Sequence, residues 1–208
     1  MTINDANLVF KGLSPNGGKQ KQIDSIVLHH RAGNGDVLSI HRQHMMDKGW
    51  WGIGYHYYVR KDGSIWRGRP EHWVGSHAGS SNDYNKHSIG ICFEGNFETE
   101  TMTDAQVEAG RELIEDIKSR YTIKQVLCHR DIAKTACPGK NFRLKELLED
   151  KPIAPTLKDV TVKVGSAKVS GKLIDGVTYV PLREVMFAVT THLVVNWSAE
   201  NGASVDLV

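Results

Sequence analysis

Residues 23–30 read Ile23-Asp24-Ser25-Ile26-Val27-Leu28-His29-His30, a short apolar run that closes on two imidazoles. Its length, its β-branched content and its lack of helical periodicity predict a buried strand. Further along, Val126-Leu127-Cys128-His129 repeats the arrangement, and the chain then reaches Cys137-Pro138-Gly139. Two imidazoles delivered by strand ends and one thiolate from the following loop make three ligands for a tetrahedral zinc, with the fourth position open. Structural zinc sites are closed, so an open position points to a catalytic metal. Successive side chains on a strand face opposite ways, which lets only one of His29 and His30 share a pocket with His129. His29 is the expected ligand, and His30 is expected to pack or to hydrogen-bond behind it.

Around these strands the pattern alternates. A helix is expected over about residues 36–48, followed by a hairpin formed by Gly54-Tyr55-His56-Tyr57-Tyr58-Val59, a turn at Lys61-Asp62-Gly63, and Ser64-Ile65-Trp66-Arg67. Residues 68–86 read as a long loop, of the kind that carries function. Ser88-Ile89-Gly90-Ile91-Cys92-Phe93 is a second buried strand. Thr103 with Gln106 fits a capping box, and Val107, Leu113, Ile114, Ile117 and Tyr121 recur at helical spacing, so residues 104–120 form a helix. A strand over 123–128, the His129 to Cys137 loop and a short helix near 143–149 complete an α/β domain with a central mixed sheet flanked by helices.

Asp150-Lys151-Pro152-Ile153-Ala154-Pro155-Thr156 cannot continue a helix and marks a boundary. The expected organisation is a catalytic domain over 1–150, a linker over 151–157 and a small β-rich domain over 158–208. In the last, Val160-Thr161-Val162-Lys163-Val164 alternates, a turn falls at Asp175-Gly176, Val177-Thr178-Tyr179-Val180 forms a strand, and Pro181 opens a short helix.

Composition narrows the function classes. A net charge of +2 over 208 residues makes no case for a nucleic-acid binder, though a mildly basic enzyme suits an anionic polymer such as a cell wall. Three cysteines do not make a disulfide framework, which favours reduced thiols or metal ligation. Met1 to Phe10 holds no continuous apolar run, so neither a secretory signal nor membrane insertion is expected, and action outside the cytoplasm would need another means of release. No feature of the sequence specifies an oligomeric state.

Each candidate competes with a plainer role. His41, His44, His87 and His192 read as surface or hydrogen-bonded histidines, and Cys92 and Cys128 as core thiols. Glu94, ending its strand beside Gly95, is a candidate general base toward a metal-bound water, against the alternative of a merely solvated carboxylate. Trp50, Trp51, Trp66 and Trp73 suit either groove walls or core.

The segments Gly54-Tyr55-His56, Lys61-Asp62-Gly63, Val74-Gly75-Ser76-His77-Ala78, His87-Ser88-Ile89-Gly90-Ile91, and His129-Arg130-Asp131 through Ala136-Cys137-Pro138-Gly139 together resemble the zinc N-acetylmuramoyl-L-alanine amidases. That family includes phage lysozyme-type amidases and the peptidoglycan recognition proteins. The resemblance covers roughly residues 22–145, with several motifs in consistent order. It implies zinc ligands at His29, His129 and Cys137, a catalytic role for Tyr55, and His77 lining the substrate groove. The substrate implied is the amide between N-acetylmuramic acid and L-alanine in bacterial peptidoglycan. Phage lysozyme-type members carry a lysine two residues before the cysteine ligand; Thr135 stands there, as in recognition-protein amidases, and leaves a hydroxyl as donor or water-positioning group. Residues 159–208 resemble the small β-rich domain first named from copper amine oxidases, which suggests a wall-targeting or dimerising module without copper. The leading expectation is a phage or prophage endolysin; the alternatives are a bacterial autolysin and a non-catalytic peptidoglycan-binding module.

Overall fold

The computed structural model describes residues 1–12, 18–79, 83–149, 158–164, 167–174, 177–181, 185, 193–198 and 202–207. The expected linker, the Asp175-Gly176 turn, residues 182–184 after Pro181, Ser80-Ser81-Asn82 and His192 lie outside them. The chain divides into two compact units, Met1–Lys151 and Pro152–Val208.

In the first unit the elements follow the order β1 (Ile3–Asn4), β2 (Ser25–His30), α1 (Val37–Met46), β3 (Tyr57–Val59), β4 (Ile65–Arg67), a 3-10 turn (Asp83–Lys86), β5 (Ser88–Phe93), α2 (Asp104–Arg120), β6 (Gln125–Cys128), α3 (His129–Ile132) and α4 (Leu144–Leu148). The strands form one mixed sheet in the order β1-β4-β3-β5-β2-β6, parallel at every pairing except β3 with β4. The fold is thus α/β, as expected.

Strand parity separates two cores. Ile26, Leu28, Ile89, Ile91 and Phe93 face α2, where Val107, Leu113, Ile114 and Ile117 meet them. Tyr58 and Cys92 point the other way, onto Val37 and Ile40 of α1. Burial on both faces explains why β2 and β5 read as continuous apolar runs rather than alternating ones. Each Ile or Leu side chain so buried contributes about 1.5–3 kcal/mol, enough to make these strands the anchor of the domain.

The capping box predicted for α2 is present: Gln106 N donates to Thr103 Oγ1 (3.1 Å), and Thr103 N donates to Gln106 Oε1 (3.2 Å). Buried Gln106 also donates through Nε2 to Glu94 O (2.8 Å), tying the helix start to the end of β5. Gly110 lets α2 close onto α4, since a Cβ there would stand 2.7 Å from Leu147 Cδ2 and 2.8 Å from Phe93 Cε1.

The hairpin is shorter than expected. Residues 54–56 leave the β3–β4 ladder to bond a following segment, with Arg69 N donating to Tyr55 O (2.9 Å) and Ser76 N to Gly54 O (3.1 Å). Two-residue β1, at the sheet edge, was not signalled by any apolar run.

The second unit holds an antiparallel sheet of β7 (Lys158–Val164), β8 (Ala167–Ile174) and β9 (Val177–Tyr179), and a hairpin of β10 (Leu193–Ser198) with β11 (Gly202–Leu207). Strand β8 went unread in the sequence because its inward positions include Gly171. A Cβ there would lie 2.5 Å from Tyr179 O, so the close backbone approach requires glycine and removes an apolar mark from the alternation.

Candidate metal centre and its cleft

Strands β2 and β6 are parallel neighbours with Leu28 opposite Cys128, so His29 and His129 emerge from the same end of adjacent strands. Their ring centroids are 4.6 Å apart. His129 is not the end of a strand, as expected, but the first residue of α3. The helical turn starts there because the Asp131 carboxylate accepts Cys128 N (2.7 Å), and Ala133 N then donates to His129 O (3.0 Å). Arg130 folds the next loop back, donating from N to Cys137 O and from Nη1 to Gly139 O, each at 2.8 Å. The Cys137 thiol so returned lies with Sγ 3.9 Å from His29 Nδ1. One ligand atom from each of His29, His129 and Cys137 lies within 4.8 Å of the others, so the three could hold a metal ion. His30 faces the opposite core: its backbone N donates to Cys137 Sγ (3.4 Å), and its Nδ1 accepts Phe97 N (3.2 Å).

The electrostatics suit a cation. Burial, reinforced by the imidazoles of His129, His30 and His56, drives the His29 ring well below the ordinary histidine range. Burial and the neighbouring His30 lower His129 as well. Both rings are therefore neutral near pH 7 and offer lone pairs. Burial pushes the Cys137 thiol up to about 11, although the His30 amide and Arg130 pull the other way. A thiol in that state becomes a thiolate when a cation joins it, since metal binding releases the proton.

Beside these groups opens a cavity of about 720 Å³ whose lining includes His129, Tyr55, His77, His44, Trp50 and Lys48. That volume falls within the range of sites that enclose small ligands. The Tyr55 ring stands 5.1 Å from that of His29. Burial, then the nearby thiols of Cys92 and Cys137, raise its phenol well above the ordinary tyrosine value, so it stays protonated and can donate. His77 borders the same cavity but is 94% buried, and its Nδ1 lies 3.0 Å from His29 Nε2.

Residues 19–140 match the family described as N-acetylmuramoyl-L-alanine amidase. The chain belongs to this amidase family. It is 37% identical over 128 residues to peptidoglycan-recognition protein SC2 of Drosophila melanogaster, covering 56% of this chain and 68% of that protein. The endolysin of Klebsiella phage KP32 is 36% identical over 113 residues, or 52% of this chain and 72% of the endolysin. Among solved structures, the endolysin N-acetylmuramoyl-L-alanine amidase LysCS of Clostridium intestinale URNW superposes with a TM-score of 0.65 at 37% identity, over 70% of this chain and 92% of that one.

Thr135 and Glu94, the other two candidates, are not among the residues lining this cavity. Thr135 is exposed, and its Oγ1 accepts Cys137 N (3.2 Å), a local bond that shapes the loop and leaves the hydroxyl proton free to be donated. Glu94 is not in the cavity lining. Its Oε1 accepts Gly35 N (3.0 Å), its Oε2 accepts Lys61 N (3.1 Å), and Arg60 Nε lies 3.4 Å from Oε2. A carboxylate so engaged orders the two loops around it.

His44 was missed in the sequence as part of the cleft, and Trp50 was left open there between groove wall and core. His44 continues the inward stripe Val37, Ile40, His41 of α1, at the spacing of one helix face, and its Nδ1 accepts Gly54 N (3.1 Å) beside Tyr55. Trp50 borders the cavity, whereas Trp51 covers Gly12 and Trp73 packs edge-on against Phe10. Arg69, wholly buried, binds the carbonyls of Ile53 and Val74 and the Ser76 hydroxyl, and so holds the cavity wall against the Tyr55 segment. Nothing in its local sequence distinguishes it from a surface arginine.

Proposed function

We propose that the chain is a zinc-dependent N-acetylmuramoyl-L-alanine amidase acting on bacterial peptidoglycan. The observation that carries this reading is the convergence of His29, His129 and Cys137 beside the cleft of a chain from that family. Two neutral imidazoles and one half-buried thiol within 4.8 Å are a borderline-soft donor set, which fits zinc and leaves room for an open position. Bound there, zinc would activate a water near neutral pH and polarise the scissile carbonyl.

The protein's own groups supply the rest. Tyr55 holds its phenolic proton and donates it toward the oxygen of the lactyl amide as negative charge develops there, a contribution of about 2.7–4 kcal/mol when such a donor is well placed. Thr135 keeps the Cys137 loop in shape and offers a second hydroxyl to the same oxygen. Tyr55, His77, Trp50 and Lys48 give the sugar and peptide a wall with both apolar and polar faces. Glu94 takes no part in proton transfer, because its oxygens serve loop amides.

We assign residues 1–150 to catalysis and residues 158–208 to holding the enzyme at the wall or pairing it with a second copy. A phage or prophage endolysin, made in the host cytoplasm and acting on the wall after release, accounts for this combination; an autolysin would use the same chemistry. The rival is a wall-binding protein without activity, and a complete donor set with Tyr55 beside it argues against that.

The test is the release of new L-alanine amino termini from purified cell walls by protein as isolated, after chelation, and after zinc is restored. Release that stops with chelator and returns with zinc supports the amidase. No release from protein carrying one zinc per chain would instead identify a binding protein.

A further inference from the structure

We propose that His77 is a positioning residue that sets the tautomer and direction of His29, an inference resting on the reading of His29 as a metal ligand. His29 turns Nδ1 toward Cys137 Sγ (3.9 Å) and leaves Nε2 facing His77 Nδ1 (3.0 Å). A neutral imidazole has one proton. With a metal on Nδ1 that proton is on Nε2, so His29 donates and His77 Nδ1 accepts. It follows that His77 carries its own proton on Nε2.

The His77 ring is built into place. Gly90 stands two positions before Cys92, the register partner of His29, and on the same face of β5. A Cβ on Gly90 would fall 2.5 Å from His77 Cδ2, so the missing side chain is the space the ring fills. Gly75 bounds the ring as well, for a Cβ there would also lie 2.5 Å from Cδ2. The backbone is clamped as well, for His77 N and Ala78 N both donate to Asn85 Oδ1 at 2.9 Å. Behind it His56 stacks edge-on at 5.5 Å, itself fixed by Gly90 N donating to its Nδ1 (2.9 Å) and by Trp73 O at its Nε2 (3.0 Å). An acceptor that cannot turn away holds the His29 ring in its metal-facing orientation before any ion arrives, which is how an outer partner raises metal affinity. A second imidazole thus takes the role that a carboxylate or backbone carbonyl usually fills.

Two substitutions in the full chain separate this role from simple space filling. His77→Leu keeps bulk and removes the acceptor; His77→Asn puts Oδ1 where Nδ1 stood. Competitive titration of zinc against a chromophoric chelator should find His77→Leu about 10–100-fold weaker than the parent and His77→Asn close to it. Thermal unfolding of the metal-free proteins reports whether all three fold alike. A His77→Leu protein that folds and binds zinc like the parent would overturn the proposal, as would His77→Asn binding no better than His77→Leu. Should His77→Leu fail to fold, nitrogen NMR of histidines in the zinc-loaded parent decides. A proton on Nε2 of both His29 and His77 is expected, and a proton on His77 Nδ1 overturns the proposal. Zinc affinity is read independently of hydrolysis. A parent that binds zinc with these tautomers yet leaves walls intact refutes only the amidase reading, and a parent that binds no zinc refutes both.

Discussion

Cys137 Sγ lies 3.9 Å from His29 Nδ1 although 108 positions separate the two residues. The approach is made by the parallel pairing of β2 with β6 and by the Arg130 bonds that fold the α3 loop back over the strand ends. Neither residue belongs to a hydrophobic core cluster, so the donor set can be altered while the sheet stands.

Cys137→Ser should therefore remove the metal and spare the fold. A serine hydroxyl does not ionise as a thiolate does and is a poor zinc ligand. Metal analysis after dialysis should find less than one zinc per chain, wall hydrolysis should fall to that of the chelated parent, and the far-ultraviolet circular dichroism should be unchanged. An active, zinc-free Cys137→Ser protein would contradict the ligand assignment.

Tyr55→Phe keeps the ring beside His29 and deletes the donor. The expected result is a fall in kcat of about 10²–10³-fold with zinc content and KM little altered. A loss confined to KM would make Tyr55 a binding group instead.

Glu94→Gln tests the alternative general base. Proton transfer by a positioned carboxylate is worth about 10²–10⁴-fold. Because both oxygens of Glu94 accept from Gly35 and Lys61, we expect activity to hold within a fewfold and stability to drop by about 1–3 kcal/mol in urea unfolding.

The pH dependence of stability should carry the mark of Glu71. Burial alone would raise its pKa, but hydrogen bonds from Arg120, Tyr57 and Tyr121 outweigh it and hold the group at about 2, below its usual 4.5. A carboxylate depressed on folding stabilises the protein above its unfolded value and loses that contribution as pH falls through the folded one. Glu71→Gln should thus cost about 1–3 kcal/mol at pH 7, with the gap to the parent shrinking between pH 4.5 and 2. Denaturant titrations at pH 7, 4 and 2.5 measure it, and a gap that does not narrow would remove Glu71 from the acid response.

Much of this was legible in the order of residues. The apolar runs at Ile26–Leu28 and Ile89–Phe93 marked the central strands, because burial on both faces leaves no alternation. Thr103 and Gln106 marked the start of α2, because a cap is a contact between near neighbours. Strand parity separated His29 from His30, and the structure turns one toward Tyr55 and the other toward Phe97.

Other features were invisible for a common reason. Strand β8 hid behind Gly171, whose meaning is an approach to Tyr179 in the next strand. Glu94 looked free until Gly35 and Lys61 arrived from distant loops. His77 read as a groove residue and does border the cavity, but its place beside His29, in a gap of its shape left by Gly90, had no local sign. By itself the sequence determined the central strands and the principal helices and singled out His29, His129 and Cys137 as candidate donors, since these rest on periodicity, caps and chemical type along the chain. Which nitrogen of His29 faces the thiol, and which neighbour holds it there, was decided only by tertiary structure, because strand register and the filling of gaps join residues that no local pattern connects.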